Sequence, residues 1–464
     1  MKKNLKLLLA GLAIAASLAS AAPQRGSLKV GAARVDITPP ANPEYPASGK
    51  YEHERLYVRA IVLDNGATRA AIIGADQSGV SEDVFLSASK QVAAELDCPV
   101  ANVIMSATHS HSAIRSGPPA PGQARPPQQA VAPTVAAILD AVKQAKAKLQ
   151  PAQVGFGTGA SYLNVARDTV SEQTHKWTQS ANLDAASDKT VAVVTFTAPS
   201  GEPIAAYVNY AMHPVNGYLV GITSADFPGA ACRYVEQAFD DKMVTVFSQG
   251  ASGDQNPLLM RPATNALASK SGVKITGYEL VREEVEGPLR EGKVPHGKLD
   301  PKVADRFERW IESEGMMLGE EVIRVMTNTK KRSGEVAIQG EQRSLTCAGR
   351  VRTNTGREGE PGTYQDGDPV VFRLGMLGIG DVALATVNAE IYTMISQRLK
   401  KQSPMANTVM VTLANGRANS GYVPNDASFG AYTFQVLGSR LKPGCAEQGI
   451  ANTLTEMIGQ YASK

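Results

Sequence analysis

The sequence predicts a single large α/β domain, with a mixed β-sheet core, flanking helices and long loops around a site. Three observations carry this. Continuous apolar runs of strand length, "RAAIIGAD" (69–76) and "MVTVFSQG" (243–250), are those of strands buried on both faces. A stretch of helical spacing, "EDVFLSASKQVAAEL" (82–96), follows the first of them. The resulting order of strand, helix, strand, helix is that of an α/β core.

The other elements follow in order. "LKVGAARVDITPP" (28–40) and "YVRAIVLDNG" (57–66) alternate apolar and polar residues, and the second ends in a hairpin-like Asn65-Gly66. "VANVIMSATHS" (100–110) is a further buried strand. "SGPPAPGQARPPQQ" (116–129), rich in Pro, Gly and Gln, is a loop: either a solvated connector or a wall over a pocket. A helix spans 130–149. "KTVAVVTFTAP" and "PIAAYVNYAMHP" form a strand pair joined by "PSGE". The stretch 263–301 is charged and irregular, and a long helix spans 302–329. "VVFRLGMLGIGDVALATV" (370–387) is a hairpin turning at Gly378 to Asp381, "NAEIYTMISQRLKKQ" (388–402) a helix, and "NTVMVTLAN" (407–415) a strand. No repeat and no inter-domain linker is visible.

The N-terminus has three lysines by Lys6, the apolar run "LLLAGLAIAASLA" and then "ASAAP". That order predicts a signal peptide over 1–22, cleaved after Ala21 or Ala22, and an exported protein, periplasmic or secreted. The run is short for a membrane span, and no cysteine follows it to take a lipid anchor. Composition is that of a globular domain, 43% hydrophobic and 20% charged. A net charge of +3 is too small to argue for nucleic acid or an anionic membrane surface, and no nucleic-acid partner is expected. With 6% aromatics, an aromatic binding platform has little support. Of the four cysteines, Cys98 and Cys232 lie in helix-like segments as buried thiols. For Cys347 and Cys445, a disulfide and two free thiols are equally open.

The chain holds six histidines, two of them one residue apart in "SATHSHSA" (106–113). Side chains at i and i+2 of a strand share a face. His109 and His111 can therefore both face a crevice at a strand's C-terminal end, where open α/β sheets bind ligands. His213, in "VNYAMHPVNG", ends another apolar strand. Read alone, it is better explained as a hydrogen-bonded core histidine. Glu390 stands where a strand hands over to a helix, a place that the helix dipole also favours for a carboxylate. Tyr422 sits in the Gly- and Asn-rich "ANGRANSGYVP". His53 could reach a pocket from an early loop, while His175 and His296 read as solvent-facing. In "FSQGASGDQNP" (247–257), the glycine after Ser252 comes one residue early for a nucleophile elbow. That loop instead offers backbone N–H groups suited to a carbonyl oxygen or a water.

Taken together and in order, "VGAARVDITPP", "SATHSHSA", "NYAMHPVNG", "SQGASGDQNP", "LATVNAEIYT" and "NGRANSGYVP" resemble the catalytic domain of the neutral/alkaline (non-lysosomal) ceramidases, from Leu28 to Tyr432. The resemblance implies one zinc ion per chain, held by His109, His213, Glu390 and Tyr422. It makes His111 a partner for substrate. Arg167, in "YLNVARDT", matches a site arginine placed in a loop after the second helix, and Tyr432 a further site tyrosine. The implied reaction is hydrolysis of an N-acyl amide, ceramide-like lipid to fatty acid and sphingoid base, by metal-activated water. His111 and Asp254 are the candidates for general base. Such a substrate is compatible with transient membrane-surface contact.

Two features depart from the family pattern. Asn256 stands where the family's G-D-x-S-P-N run has serine; asparagine can donate a hydrogen bond or orient water but cannot attack. The chain also stops at Lys464, with no room for the immunoglobulin-like domain that follows in relatives, so 23–464 is expected to be the catalytic domain alone. The departures keep two alternatives in view: a zinc hydrolase of the same scaffold acting on a non-sphingoid amide or ester, and a non-catalytic binding protein.

Overall fold

The computed structural model describes residues 23–38, 55–113, 131–216, 224–258, 301–356 and 358–464, with no side chains over 301–307. The expected signal peptide, the 116–129 loop, all but the last residue of the 263–301 stretch, His53 and His296 lie outside these residues.

The expected mixed sheet is three five-stranded sheets around one shared core. β1 (Arg25–Ser27) belongs to the third of them. The first contains β2 (Lys29–Asp36), β3 (Tyr57–Asp64), β4 (Arg69–Ala75), β5 (Val103–Ala107) and β6 (Gln150–Pro151), in the order β5-β4-β3-β2-β6. Along β3, Val58, Ala60 and Val62 pack beneath α1 (Glu82–Leu96) and α2 (Val131–Ala147), while Ile61 and Leu63 face the shared core. This period-two division is why the strand reads as a continuous apolar run.

The second sheet has β7 (Gln153–Ala160), β10 (Thr190–Thr197), β11 (Pro203–Tyr210), β12 (Val244–Gln249) and β14 (Arg332–Ser333), in the order β12-β11-β10-β7-β14. Val194 and Phe196 point inward. Val191 and Val193 pack with Phe227 of α3 (Asp226–Ala238) and Leu318 of α4 (Pro301–Asn328). The third sheet runs β1-β15-β16-β17-β19, with β15 (Glu335–Arg352), β16 (Tyr364–Ile379), β17 (Val382–Val387) and β19 (Asn407–Val411). Val382 and Leu384 join the core. Ala383 and Ala385 lie with α5 (Thr393–Gln402) and α7 (Ala446–Ala462). Phe196, 0% exposed where the sheets meet, is a keystone of this packing; its truncation to Ala costs about 3–5 kcal/mol.

Each sheet contains one parallel joint: β4 with β5, β11 with β12, and β17 with β19. The segments leaving the C-terminal ends of these joints carry His109, His213, Glu390 and Tyr422. Two small sheets sit among them: β13 (Gln255–Pro257), β8 (Asn164–Val170) and β9 (Trp177–Asn182), and the pair β18 (Glu390–Ile391) with β20 (Tyr422–Val423).

Several expectations are corrected. The helix read over 388–402 begins only at Thr393. Its apolar residues do have helical spacing, but Glu390 and Ile391 are drawn into extended pairing with Tyr422 and Val423. The long β15 and the helix α7 have no counterpart in the sequence reading. Cys347 and Cys445 form a disulfide that ties β15 to the start of α7 across 98 residues, a crosslink worth about 2–5 kcal/mol. Cys232 is a buried thiol, as expected. Cys98 is only half-buried, one residue past Asp97, whose left-handed backbone ends α1.

Candidate metal centre

His109 leaves β5 with φ at +68°. That region is unfavourable for a side chain bearing Cβ and is met at functional sites. Two backbone bonds hold the residue there: Thr108 N donates to Ala75 O at 2.9 Å, and His109 N donates to Gln77 O at 2.9 Å. The turn out of β4 thereby clamps the segment leaving β5. The departure from strand geometry aims the imidazole inward, and only 4% of His109 is exposed.

The ring nitrogens define the chemistry. His109 Nδ1 lies 2.6 Å from Ser78 O, and His213 Nδ1 lies 3.1 Å from Gln255 O. A carbonyl only accepts, so both Nδ1 atoms carry the proton, and a neutral ring then presents Nε2 as a bare lone pair. His109 Nε2 is 3.3 Å from His213 Nε2, 3.3 Å from His111 Nε2 and 3.1 Å from Glu390 Oε1. With its proton on Nδ1, His109 brings none to the bare His213 Nε2 or to the Glu390 carboxylate that it faces. Glu390 Oε2 is buried without a hydrogen-bond donor and faces His213 Nε2 at 3.9 Å. Converging lone pairs with an orphaned carboxylate oxygen are what a divalent cation satisfies, and imidazole with carboxylate suits zinc. His109, His111 and His213 could hold a metal ion, their nitrogens lying within 4.8 Å of one another.

Electrostatics favour neutral rings at His213 and His111. Burial, then the nearby Arg167 and His109, holds His213 well below the ordinary histidine range. Burial, then His109, lowers His111 to about 3. His111 is the one of the three histidines with appreciable solvent access.

Tyr422 is the parallel register partner of Glu390, and its ring lies 6.3 Å from that of His213. Burial and the Glu390 charge raise its phenol, while Arg167 opposes the shift. Arg167 is not in a loop: it lies on β8, where the register with β9 shifts, and bulges of this kind re-aim a side chain. It is 3% exposed and stacks over Tyr422 at 5.3 Å. Arg167 Nη2 donates to Gly253 O at 2.6 Å, and Nη1 donates to Asn256 Oδ1 at 3.1 Å. Because guanidinium has no acceptor, Asn256 must turn its oxygen to Arg167 and its NH₂ away.

Asp254 accepts from Thr393 N at 2.9 Å, at the start of α5, and burial raises its pKa to about 6. Tyr432 is half-buried, and its carbonyl accepts from Gly359 N at 2.9 Å. The aromatic that stacks on Arg167 there is Phe434, 5.5 Å from the guanidinium and edge-on to Tyr422, at the start of α6 (Phe434–Gly438). The sequence reading missed Phe434, the carbonyls of Ser78 and Gln255, and Asp168. The Asp168 carboxylate accepts from Tyr392 at 2.7 Å and from Gln435 at 2.9 Å, beside Arg167. Backbone carbonyls leave no trace in residue identity. Asp168 carries only the weak signal of an acid next to a site arginine.

The fold and this cluster define an α/β protein whose three sheets send segments to a largely buried histidine group that could hold a metal ion. Residues 29–347 match the N-terminal region of the neutral/alkaline non-lysosomal ceramidases. The chain belongs to that family, one of amide hydrolases. Two solved structures are similar in fold. One is a ceramidase complexed with C2, with TM-score 0.64 and 16% identity over 94% of this chain and 75% of that one. The other is the neutral ceramidase from Pseudomonas aeruginosa, with TM-score 0.61 and 15% identity over 94% and 74%.

Proposed function

We propose that this protein is an exported, zinc-dependent amidohydrolase. In this reading it cleaves the N-acyl amide of a ceramide-like lipid, adding water to give a fatty acid and a sphingoid amine. The observation that carries the reading is the bare Nε2 atoms of His109 and His213, 3.3 Å apart beside Glu390. Zinc would be held by these three residues and Tyr422, and when bound it supplies Lewis acidity and makes water a nucleophile near pH 7. Family membership and the likeness to a ceramidase complexed with C2 support a lipid amide as substrate.

The protein groups have separate tasks. His111, neutral and partly open to solvent, takes a proton at Nε2 and, once protonated there, donates a hydrogen bond to the substrate carbonyl oxygen before returning it. Arg167 is charged, buried and fixed by Gly253 and Asn256. It sets a positive field beside Tyr422 where negative charge develops on the oxygen, and preorganised donors of this kind contribute about 3–4 kcal/mol each. The NH₂ of Asn256, turned from Arg167, is a donor for substrate or water in place of a serine hydroxyl. The Cys347–Cys445 disulfide supports export, since such bonds persist in oxidising compartments. Among the described residues no helix is long and apolar enough to cross a membrane.

The test is elemental analysis of the purified protein, then mass-spectrometric detection of products from ceramides, N-acyl amino acids and simple esters. One zinc per chain with fatty acid and sphingoid base from ceramide is expected. Turnover of only the other substrates overturns the sphingolipid assignment. Zinc without any turnover leaves a binding protein.

A further inference from the structure

Gln249 ends β12, is 0% exposed, and its side chain hydrogen-bonds to backbone carbonyls. Its side-chain amide has two hydrogens, and each reaches a backbone carbonyl: Thr108 O at 2.9 Å and Met212 O at 2.9 Å. Those carbonyls belong to the residues immediately before His109 and His213. Gln249 O in turn accepts from Thr412 N at 2.9 Å, in the segment that leads to Tyr422. One residue therefore ties together the three chain segments on which the imidazoles and the phenol are mounted. These segments leave three different sheets.

The amide cannot be reversed, because its oxygen would then face two carbonyls. In the orientation present, Gln249 Oε1 is buried without a hydrogen-bond partner. An apolar side chain at the end of this strand would leave no such orphan. A buried polar group that is only partly satisfied needs a reason, and the bracing of two ligand-bearing segments is one.

We propose that Gln249 is a positioning residue that sets the separation of the His109 and His213 imidazoles, and through it the affinity and geometry of the bound metal. The inference rests on the reading that those histidines ligate the ion. Outer-shell partners of metal ligands typically change affinity 10–100-fold when removed.

The experiment compares the full-length wild type with Gln249→Met, Gln249→Asn and His213→Ala. Each protein is stripped of metal and titrated with zinc against a chromophoric chelator, then with cobalt while its visible spectrum is recorded. Gln249→Met is expected to bind zinc about 10–100-fold more weakly and to alter the cobalt spectrum. Its zinc-induced rise in Tm shrinks accordingly. Gln249→Asn, one methylene shorter, reaches only one carbonyl and falls between; it decides the matter if the Met variant does not fold. A purely structural role would lower the Tm of the stripped protein and leave zinc affinity and spectrum untouched, which overturns the proposal. If His213→Ala loses zinc while both Gln249 variants behave as wild type, the positioning role falls and the metal site stands. If His213→Ala keeps stoichiometric zinc, the metal reading fails and the proposal with it.

Discussion

The imidazole cluster of His109, His111 and His213 and the carboxylate cluster of Asp226 and Glu314 are both largely withdrawn from water, and they balance their polar groups by different means. Asp226 and Glu314 are each 0% exposed. Asn216 donates through Nδ2 to both, at 3.0 Å and 2.6 Å. Trp310 Nε1 donates to Glu314 at 3.1 Å, and Phe227 N donates to Asp226 at 2.7 Å. Burial, then the charge of Asp226, raises Glu314 to about 8, so at neutral pH it keeps its proton. The acids are thus balanced by N–H donors and a proton. Around His109 the donors are spent on the carbonyls of Ser78 and Gln255, and what remains is acceptors facing one another. Burial of ionisable groups alone does not mark a metal site. An excess of acceptors over donors, as among these histidines, is what a metal ion could satisfy.

The contrast can be broken most directly at His213. His213→Ala should lose zinc and amidase activity together, the activity falling to background in a product assay. His111→Ala should lower kcat by about 10²–10³-fold, the loss seen for a single transition-state donor, while keeping one zinc per chain. Loss of metal in that variant would move His111 into the ligand set. Asn216→Leu attacks the other cluster. It removes hydrogen bonds to two buried acids and should lower stability by about 3 kcal/mol or more in urea unfolding, with zinc content unchanged.

The smallest effect is a slope. Between pH 6.5 and 8, Glu314 is protonated in the folded chain and ionised in the unfolded one, so the unfolded state binds fewer protons. Stability should fall as pH rises through that window, by up to about 1.4 kcal/mol per unit. Glu314→Gln should flatten this slope whatever it does to the baseline. Below pH 6.5 the depressed His111 and His213 act with the opposite sign, since the unfolded chain then takes up protons that the folded chain refuses. Their contribution lowers stability as pH falls from 6.5 toward 3.

How much was legible depended on whether the signal was local. His109 and His213 lie just past the ends of buried strands, and the apolar runs that announce those strands also announce their ends. The hairpin turning at Gly378 to Asp381 and the pair joined by "PSGE" were readable for the same reason. The two-residue strands of Glu390 and Tyr422 were not, because no period exists over two residues. Helical spacing beginning at Ile391 therefore captured Glu390 for a helix it does not join. Arg167 looked like a loop residue because a register shift has no signature in one strand's sequence.

By itself the sequence determined which residue types stand at the ends of apolar strands, how those strands bury both faces, and which ordered set of motifs the chain carries. These are local properties of spacing and side-chain chemistry. The tertiary structure decided which nitrogens carry protons, which acceptors are left without donors, that Cys347 meets Cys445, and that Gln249 spans the segments carrying His109 and His213. Each of those depends on the carbonyl or side chain that a distant part of the chain brings within about 3 Å, the range over which hydrogen bonds and metal coordination act.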